Sequence, residues 1–427
     1  MAAVAALQPL AGRCSTRLWV ELGRRGEQSA KPSDVVCQVE FRLGHVTIPT
    51  VTRGIAFLPW VTSDAERLVG RFLLVPYRLG RSENAASAIP HAQIDQALRF
   101  YRDASRRPIR QCTLVALADK GIGTALSDAE IEDLFIFGEL LAFSALSHRR
   151  FFQNGFGYVG RDQYALLFQR IPDHFSGSIA LTYRRRDGGM TQGIGADDFP
   201  ITIPPHVVWQ QSVAYDEQLL QALLQAWMGM SAKDWQRYYE AANAFNFANT
   251  DSEAVPHGME LVLLHGAFER ALGVGGGKTN DFVAELGKCL AISDRVKCRV
   301  RGAIQPKPKA NEPFVLEAWA RDFCASRGSV AHGHDYAASK PTWSLPNHLL
   351  LASYLLPLVI KRRLSEAGLM TMREGDVALI DAFERLACFD HFRRMSALTT
   401  PPWRRIMTDV ELDLLAREMH RRLGVSP

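Results

Sequence analysis

The spacing of apolar side chains changes character part-way along the chain. In the first half, short runs rich in β-branched and aromatic residues predict strands over Val35 to Phe41, Leu68 to Tyr77 and Arg110 to Ala118. Ser178 to Arg186 predicts a further strand, and Asp187-Gly188 offers a two-residue hairpin turn into the stretch that follows. Helical periodicity predicts helices over His91 to Arg102 and Ser127 to Ser147, the second opened by a capping box of Ser127 and Glu130. Pro200, Pro204 and Pro205 then punctuate the chain, which places a linker near residue 205.

Beyond that point the period is helical almost throughout. Helices are predicted over Asp216 to Met228, Ala232 to Ala248, Gly258 to Leu272, Asp281 to Leu290, Phe314 to Ala331 and His348 to Leu364. Two more follow, Asp376 to Arg394 and Thr408 to Arg422, the last with Thr408 and Glu411 as its capping box. Short connections between long helices make a bundle the default. The expected class is α+β: a mixed α/β domain over residues 1–205, then an all-helical domain over residues 206–427.

Composition changes this picture little. A chain of 427 residues exceeds the usual single-domain size, and 47% hydrophobic with 22% charged residues describes an ordinary globular protein. The net charge of +5 is too small to announce a nucleic-acid partner. Basic residues do cluster, at Arg184-Arg185-Arg186 and Lys361-Arg362-Arg363 among others, but such runs are ordinarily solvated faces. The seven cysteines form no Cys-x-x-Cys pair, which argues against a disulfide framework or zinc site and fits a reducing cytoplasm. The first residues lack a basic region and reach Arg13 early, so no signal peptide is expected. The longest apolar run, Leu349 to Ile360, is too short to span a bilayer and contains Pro357, so it reads as a kinked, buried helix and no membrane partner is expected.

Several chemical motifs fail on inspection. Gly273 to Thr279 invites a phosphate-binding loop, but Leu272 stands where the first glycine is needed and a helix, not a strand, leads in. A flexible helix–helix connection with a glycine stop is the better reading. His257 and His265 are eight apart around Glu260 with no His-Glu-x-x-His spacing, and His332 and His334, two apart, do not share a helical face, so no metal site is expected. No Gly-x-Ser-x-Gly elbow occurs.

One spacing carries a chemical proposition. Residues 321 to 334 contain Arg327 and His332 in an Arg-x-x-x-x-His arrangement, followed by Gly333. Chance alone supplies roughly one such match in a chain of this make-up, so context decides. Upstream lie Phe245 to Asp251, with Asn246, Ala248 and Asn249, and the apolar run Leu261 to Leu272, which holds Ala267-Phe268-Glu269. In the order and spacing of these three segments, residues 215 to 365 resemble the HEPN superfamily, specifically the bacterial ApeA-like kind.

That resemblance implies an HEPN-type helical bundle in which Arg327 and His332 match the catalytic pair and Glu269 matches the carboxylate of the preceding helix. It departs at one position: Gly328 stands where the family usually has a polar residue, and Ser329 follows as a supporting polar group. The implied activity is metal-independent endoribonucleolysis, with no cofactor, in antiviral defence or toxin-like growth arrest. The first domain would then sense a trigger ligand or protein. The alternative is a non-catalytic RNA-binding or dimerisation scaffold, which Gly328 favours.

The chemistry is also arguable from the residues themselves. Five residues on a helix turn through about 140° and rise about 7.5 Å, so one helix does not aim both side chains at one point. Two copies across a two-fold axis can pair each arginine with the partner's histidine, and a homodimer is therefore expected. In such a cleft a guanidinium holds a phosphate bidentately. An imidazole exchanges protons near neutral pH. With the RNA 2′-hydroxyl as nucleophile, no metal is required. Glu269 would orient Arg327.

Overall fold

The structure is a computed structural model that describes residues 51–60, 62–80, 87–103, 105–149, 151–152, 160–171, 179–184, 190–195, 201–203, 214–250, 255–275, 278–298, 314–333, 341–392 and 402–423. The chain is α+β, with a sheet region first and a mostly helical part after it; among the described residues there are ten α-helices. By contact it divides into two compact units. One comprises residues 1–59, 65–134 and 166–205, and the other residues 60–64, 135–165 and 206–427. The helical unit thus includes a segment from the first half of the sequence. Asn246 donates to the Glu139 carbonyl at 2.8 Å, and the Asp216 amide donates to the Ser144 carbonyl at 3.0 Å.

The first unit is built on an antiparallel sheet. Strand β1 (Thr52–Leu58) pairs with β5 (Gln111–Leu117) and β6 (Ala125–Leu126), and also with β7 (Leu167–Arg170). β5 in turn pairs with β3 (Phe72–Arg78), and β3 with β2 (Arg67–Val69). The expected single strand over Leu68 to Tyr77 is therefore a hairpin, turned at Gly70 with φ 59°. Glycine adopts that left-handed value at little cost.

The helix expected over His91 to Arg102 is α1 (His91–Leu98) only. Tyr101 and Arg102 instead form β4 (Tyr101–Arg102), parallel to β10 (Ile201–Thr202). The Tyr101 ring is buried edge-on against Phe57, and its hydroxyl donates to Gln169 at 2.9 Å. That burial outweighs the helical periodicity. β8 (Ile179–Arg184) and β9 (Met190–Gly195) pair antiparallel, from Ile179 with Gly195 to Arg184 with Met190. Asp187-Gly188 and the strand expected over Val35 to Phe41 lie outside the described residues.

The division between the units falls within α2 (Asp128–Leu146), at residue 134. Its start is the expected capping box: the Ser127 amide donates to Glu130 at 2.7 Å and the Glu130 amide to the Ser127 hydroxyl at 3.3 Å.

In the helical unit the described elements are α3 (Glu217–Gly229), α4 (Ala232–Ala248), α5 (His257–Leu272), α6 (Thr279–Leu290), α7 (Val315–Ala331), α8 (Leu345–Glu366), α9 (Glu374–Ala387) and α10 (Pro402–Leu423). Side chains of Asp216 and Ser231 cap α3 and α4. α5 ends at Gly273, φ 73°, the glycine stop anticipated for it, and α6 begins at Thr279. α8 runs largely buried and carries Pro357 in its interior, where one backbone hydrogen bond is forfeited.

Two helix ends differ from expectation. α9 stops at Ala387 rather than near Arg394, and α10 starts at Pro402 rather than Thr408. Proline suits a first helical position, and Thr408 lies inside the helix, its hydroxyl donating back to the Arg404 carbonyl at 2.9 Å. The proposed cap at Thr408 is therefore wrong. Among the described residues, no helix is long and apolar enough to cross a membrane.

Candidate functional site

Helix α7 is fixed by its aromatic face. Trp319 stacks on Phe323 with centroids 5.0 Å apart, meets Phe383 edge-on at 5.1 Å, and Phe323 meets Phe268 of α5 at 5.9 Å. Large rings in contact at these separations dominate core energetics and leave the helix one rotational setting. Polar contacts reinforce it. The fully buried His348 of α8 lies 3.2 Å from the Asp322 carboxylate and 3.3 Å from the Ser326 hydroxyl. Asp322 also accepts from the Thr342 and Trp343 amides at 3.0 Å, pinning the approach to α8.

α5 and α7 run antiparallel. Phe268 faces Trp319 and Phe323, His265 faces Cys324, and a Cβ placed on Gly258 would stand 3.0 Å from Val330. Arg327 consequently occupies the seam beside His265. It is partly buried, and its Nε is buried with no hydrogen-bond partner among the described residues. His332 is the C-cap of α7 and exposed, and Gly333 follows with φ 71°, so the helix stops as its glycine suggested.

The seam also holds groups that sequence reasoning set aside. His265 Nε2 is 3.3 Å from the Cys324 sulfur, and its ring stacks on Phe282 at 5.0 Å. Burial, reinforced by the Arg327 charge, pushes His265 down to about 4, and burial with the nearby Glu269 pushes the Cys324 thiol up to about 12. Both are neutral near pH 7. The 3.5 Å approach of Glu269 to His265 Nδ1 is therefore not a charged pair, and that nitrogen has no hydrogen bond among the described residues. No single-helix spacing flags this group. His265 and Cys324 meet only because the two helices are antiparallel.

Glu269 makes no ion pair with Arg327 among the described residues; its carboxylate faces His265 instead. Ser329 donates its hydroxyl to the Ala325 carbonyl of its own helix at 3.2 Å. Among the described residues, a Cβ added at Gly328 meets nothing within 4 Å, so none of them imposes a steric need for glycine here. Gly328→Ala is expected to stabilise the protein by about 0.5–1 kcal/mol, since helical glycine carries an entropic cost of that size. Urea denaturation midpoints at constant slope check it. Among the described residues, no group of three or more His, Cys, Asp or Glu side chains is placed to hold a metal ion.

His265 sets a pH dependence. Its folded value, about 4, lies below the ordinary imidazole value near 6.5, so the unfolded chain binds the proton more readily. Stability contributed by the neutral ring is complete above that ordinary value and is lost as pH falls toward the folded one. The loss is on the order of 3 kcal/mol. Denaturation at pH 7 and pH 4.5 should show a larger drop for the natural chain than for His265→Leu.

Comparison of the chain with protein-family models, curated proteins and solved structures finds no match.

Proposed function

We propose that the helical unit is a metal-independent endoribonuclease of HEPN type that acts as a homodimer in the cytoplasm. In this reading the first unit is a sensing module, and the setting is antiviral defence or growth arrest. The observation that carries it is the disposition of α7: Arg327 in the seam, its buried Nε without a hydrogen-bond partner among the described residues, and His332 exposed at the helix end. Arg327 is only partly buried and His332 is exposed, so both stand at the edge of the packed core.

In the dimer, Arg327 of one copy and His332 of the other face one phosphodiester. The imidazole removes the 2′-hydroxyl proton, and that oxygen attacks phosphorus. Arg327 stabilises the charge that grows on the non-bridging oxygens. The bond from phosphorus to the 5′-oxygen breaks, the protonated imidazole returns its proton to the leaving oxygen, and the products carry a 2′,3′-cyclic phosphate and a 5′-hydroxyl. Glu269 stands beside His265 and, with no direct bond to Arg327 among the described residues, takes no step in this chemistry.

Incubating purified protein with RNA in EDTA tests this directly. Cleavage leaving cyclic phosphate ends, with DNA untouched, is the expected result. Cleavage that needs a divalent cation overturns it. The second reading, an RNA-binding or dimerisation scaffold, is favoured by Gly328, which presents no polar group beside Arg327. It predicts RNA binding with no cleavage under any condition.

A further inference from the structure

The helical unit contains an open cavity of about 790 Å³, bounded by the segment after α2, the end of α4, the start of α5 and the first half of α8. Its volume falls within the range of roughly 300–1,000 Å³ typical of small-molecule sites. Three features make it more than a packing defect.

The first is a rigid cation in its wall. Arg149 is only 9% exposed. Its guanidinium donates to Asn249 Oδ1 and lies 5.2 Å from the Phe151 ring and 5.8 Å from that of Phe245. The Ser353 hydroxyl donates to the same Asn249 oxygen at 2.8 Å, and the Asn249 amide nitrogen donates to the Phe245 carbonyl at 2.7 Å. Asn249 is thereby locked, and it locks the guanidinium in turn. A planar, preorganised donor of this kind suits a phosphate.

The second feature is an aromatic rim. Phe392 is 50% exposed, and Phe152 lies 6.1 Å from it. Phe152 has φ 57°, a left-handed conformation that bulky side chains rarely adopt. Strain of that sort collects at ligand sites. The third is the Glu260 carboxylate on α5, which lines the same cavity and is itself buried. A carboxylate there accepts from ring N–H and exocyclic amino groups.

We propose that this cavity binds one nucleotide unit: phosphate on Arg149, base against Phe152 and Phe392, and the base edge on Glu260. A base carrying a ring N–H beside an amino group, as guanine does, meets the carboxylate with two donors. The unit has two sources. It can be a free nucleotide, or one residue of an RNA strand whose scissile phosphate lies at α7, since Gly258, next to His257 of the cavity lining, packs on Val330 two residues before His332. Binding itself does not depend on RNA cleavage.

Calorimetric titration of the full chain separates these. The probes are the four ribonucleoside 5′-monophosphates and a 2′-O-methyl oligoribonucleotide, which lacks the attacking hydroxyl and cannot be cut. Saturable binding with a preference for guanine is expected. Arg149→Lys, which keeps the charge but loses the planar fork, should weaken it roughly tenfold, the scale of one good polar contact. Glu260→Gln should erase the base preference. Saturation by a monophosphate assigns the site to free nucleotide, and saturation by the oligonucleotide alone assigns it to RNA. No saturable binding of any probe, or binding that neither substitution alters, overturns the proposal whether or not the protein cleaves RNA.

Discussion

Replacing His332 by alanine is expected to lower EDTA-resistant RNA cleavage by about 10²- to 10⁴-fold, the range for loss of a positioned general acid–base group. The fold should survive the change. His332 is exposed at the end of α7, and the helix terminates through backbone bonds, from the His332 amide to Gly328 and from the Gly333 amide to Val330, both at 3.1 Å. A drop in activity with an unchanged denaturation midpoint separates a chemical role from a structural one. Arg327→Ala should be as damaging to activity but less silent in stability, because Arg327 is partly buried in the seam and its truncation removes packing there.

The second large effect concerns stability alone. Lys361 of α8 is 5% exposed and lies 2.6 Å from both Asp216, which caps α3, and Asp376 in the first turn of α9. One ammonium thus holds three helices. Lys361→Met leaves two buried carboxylates facing each other, a change expected to cost about 3–5 kcal/mol. Asp216 keeps its contact with Arg373 at 3.2 Å, so the loss should stop short of global unfolding.

The pH dependence follows in sign. Burial alone would raise the Asp216 carboxyl, but the Lys361 charge and hydrogen bond, with the Leu219 amide and Arg373, outweigh it and hold it below the ordinary carboxylate range. In the natural chain this contribution is present above about pH 4 and is lost as pH falls through the folded value. In Lys361→Met the burial that raises the Asp216 carboxyl is no longer offset by the Lys361 charge, so the penalty should shrink as pH falls toward 4. Urea denaturation at pH 7 and pH 4.5, with Lys361→Met/Asp376→Asn as a partial rescue, checks both the size and the sign.

Local features of the fold were readable where the chain itself states them. α4 runs from Ala232 to Ala248 as its apolar period and Ser231 require, and the glycines at 273 and 333 stop their helices as left-handed residues do. Errors arose where a distant partner overrode a local pattern. Tyr101 leaves the helical period because a buried strand pairing claims it, and Thr408 looks like a cap only while the helix start at Pro402, six residues earlier, goes unnoticed. Residues 135–165 join the helical unit through contacts such as Asn246 with Glu139, which no window of sequence contains. The candidate site divides the same way. Arg327 and His332 stand on one helix and could be named from spacing, whereas His265, Cys324 and the Arg149 cavity exist only through packing.

The most direct test mixes two inactive chains. Arg327→Ala and His332→Ala proteins are combined under conditions that let subunits exchange, and RNA cleavage in EDTA is followed. A shared cleft drawing its guanidinium from one subunit and its imidazole from the other regains one intact site in each mixed dimer, so partial activity should return. Activity that stays at the level of the separate variants, in a mixture shown to contain mixed dimers, contradicts the account.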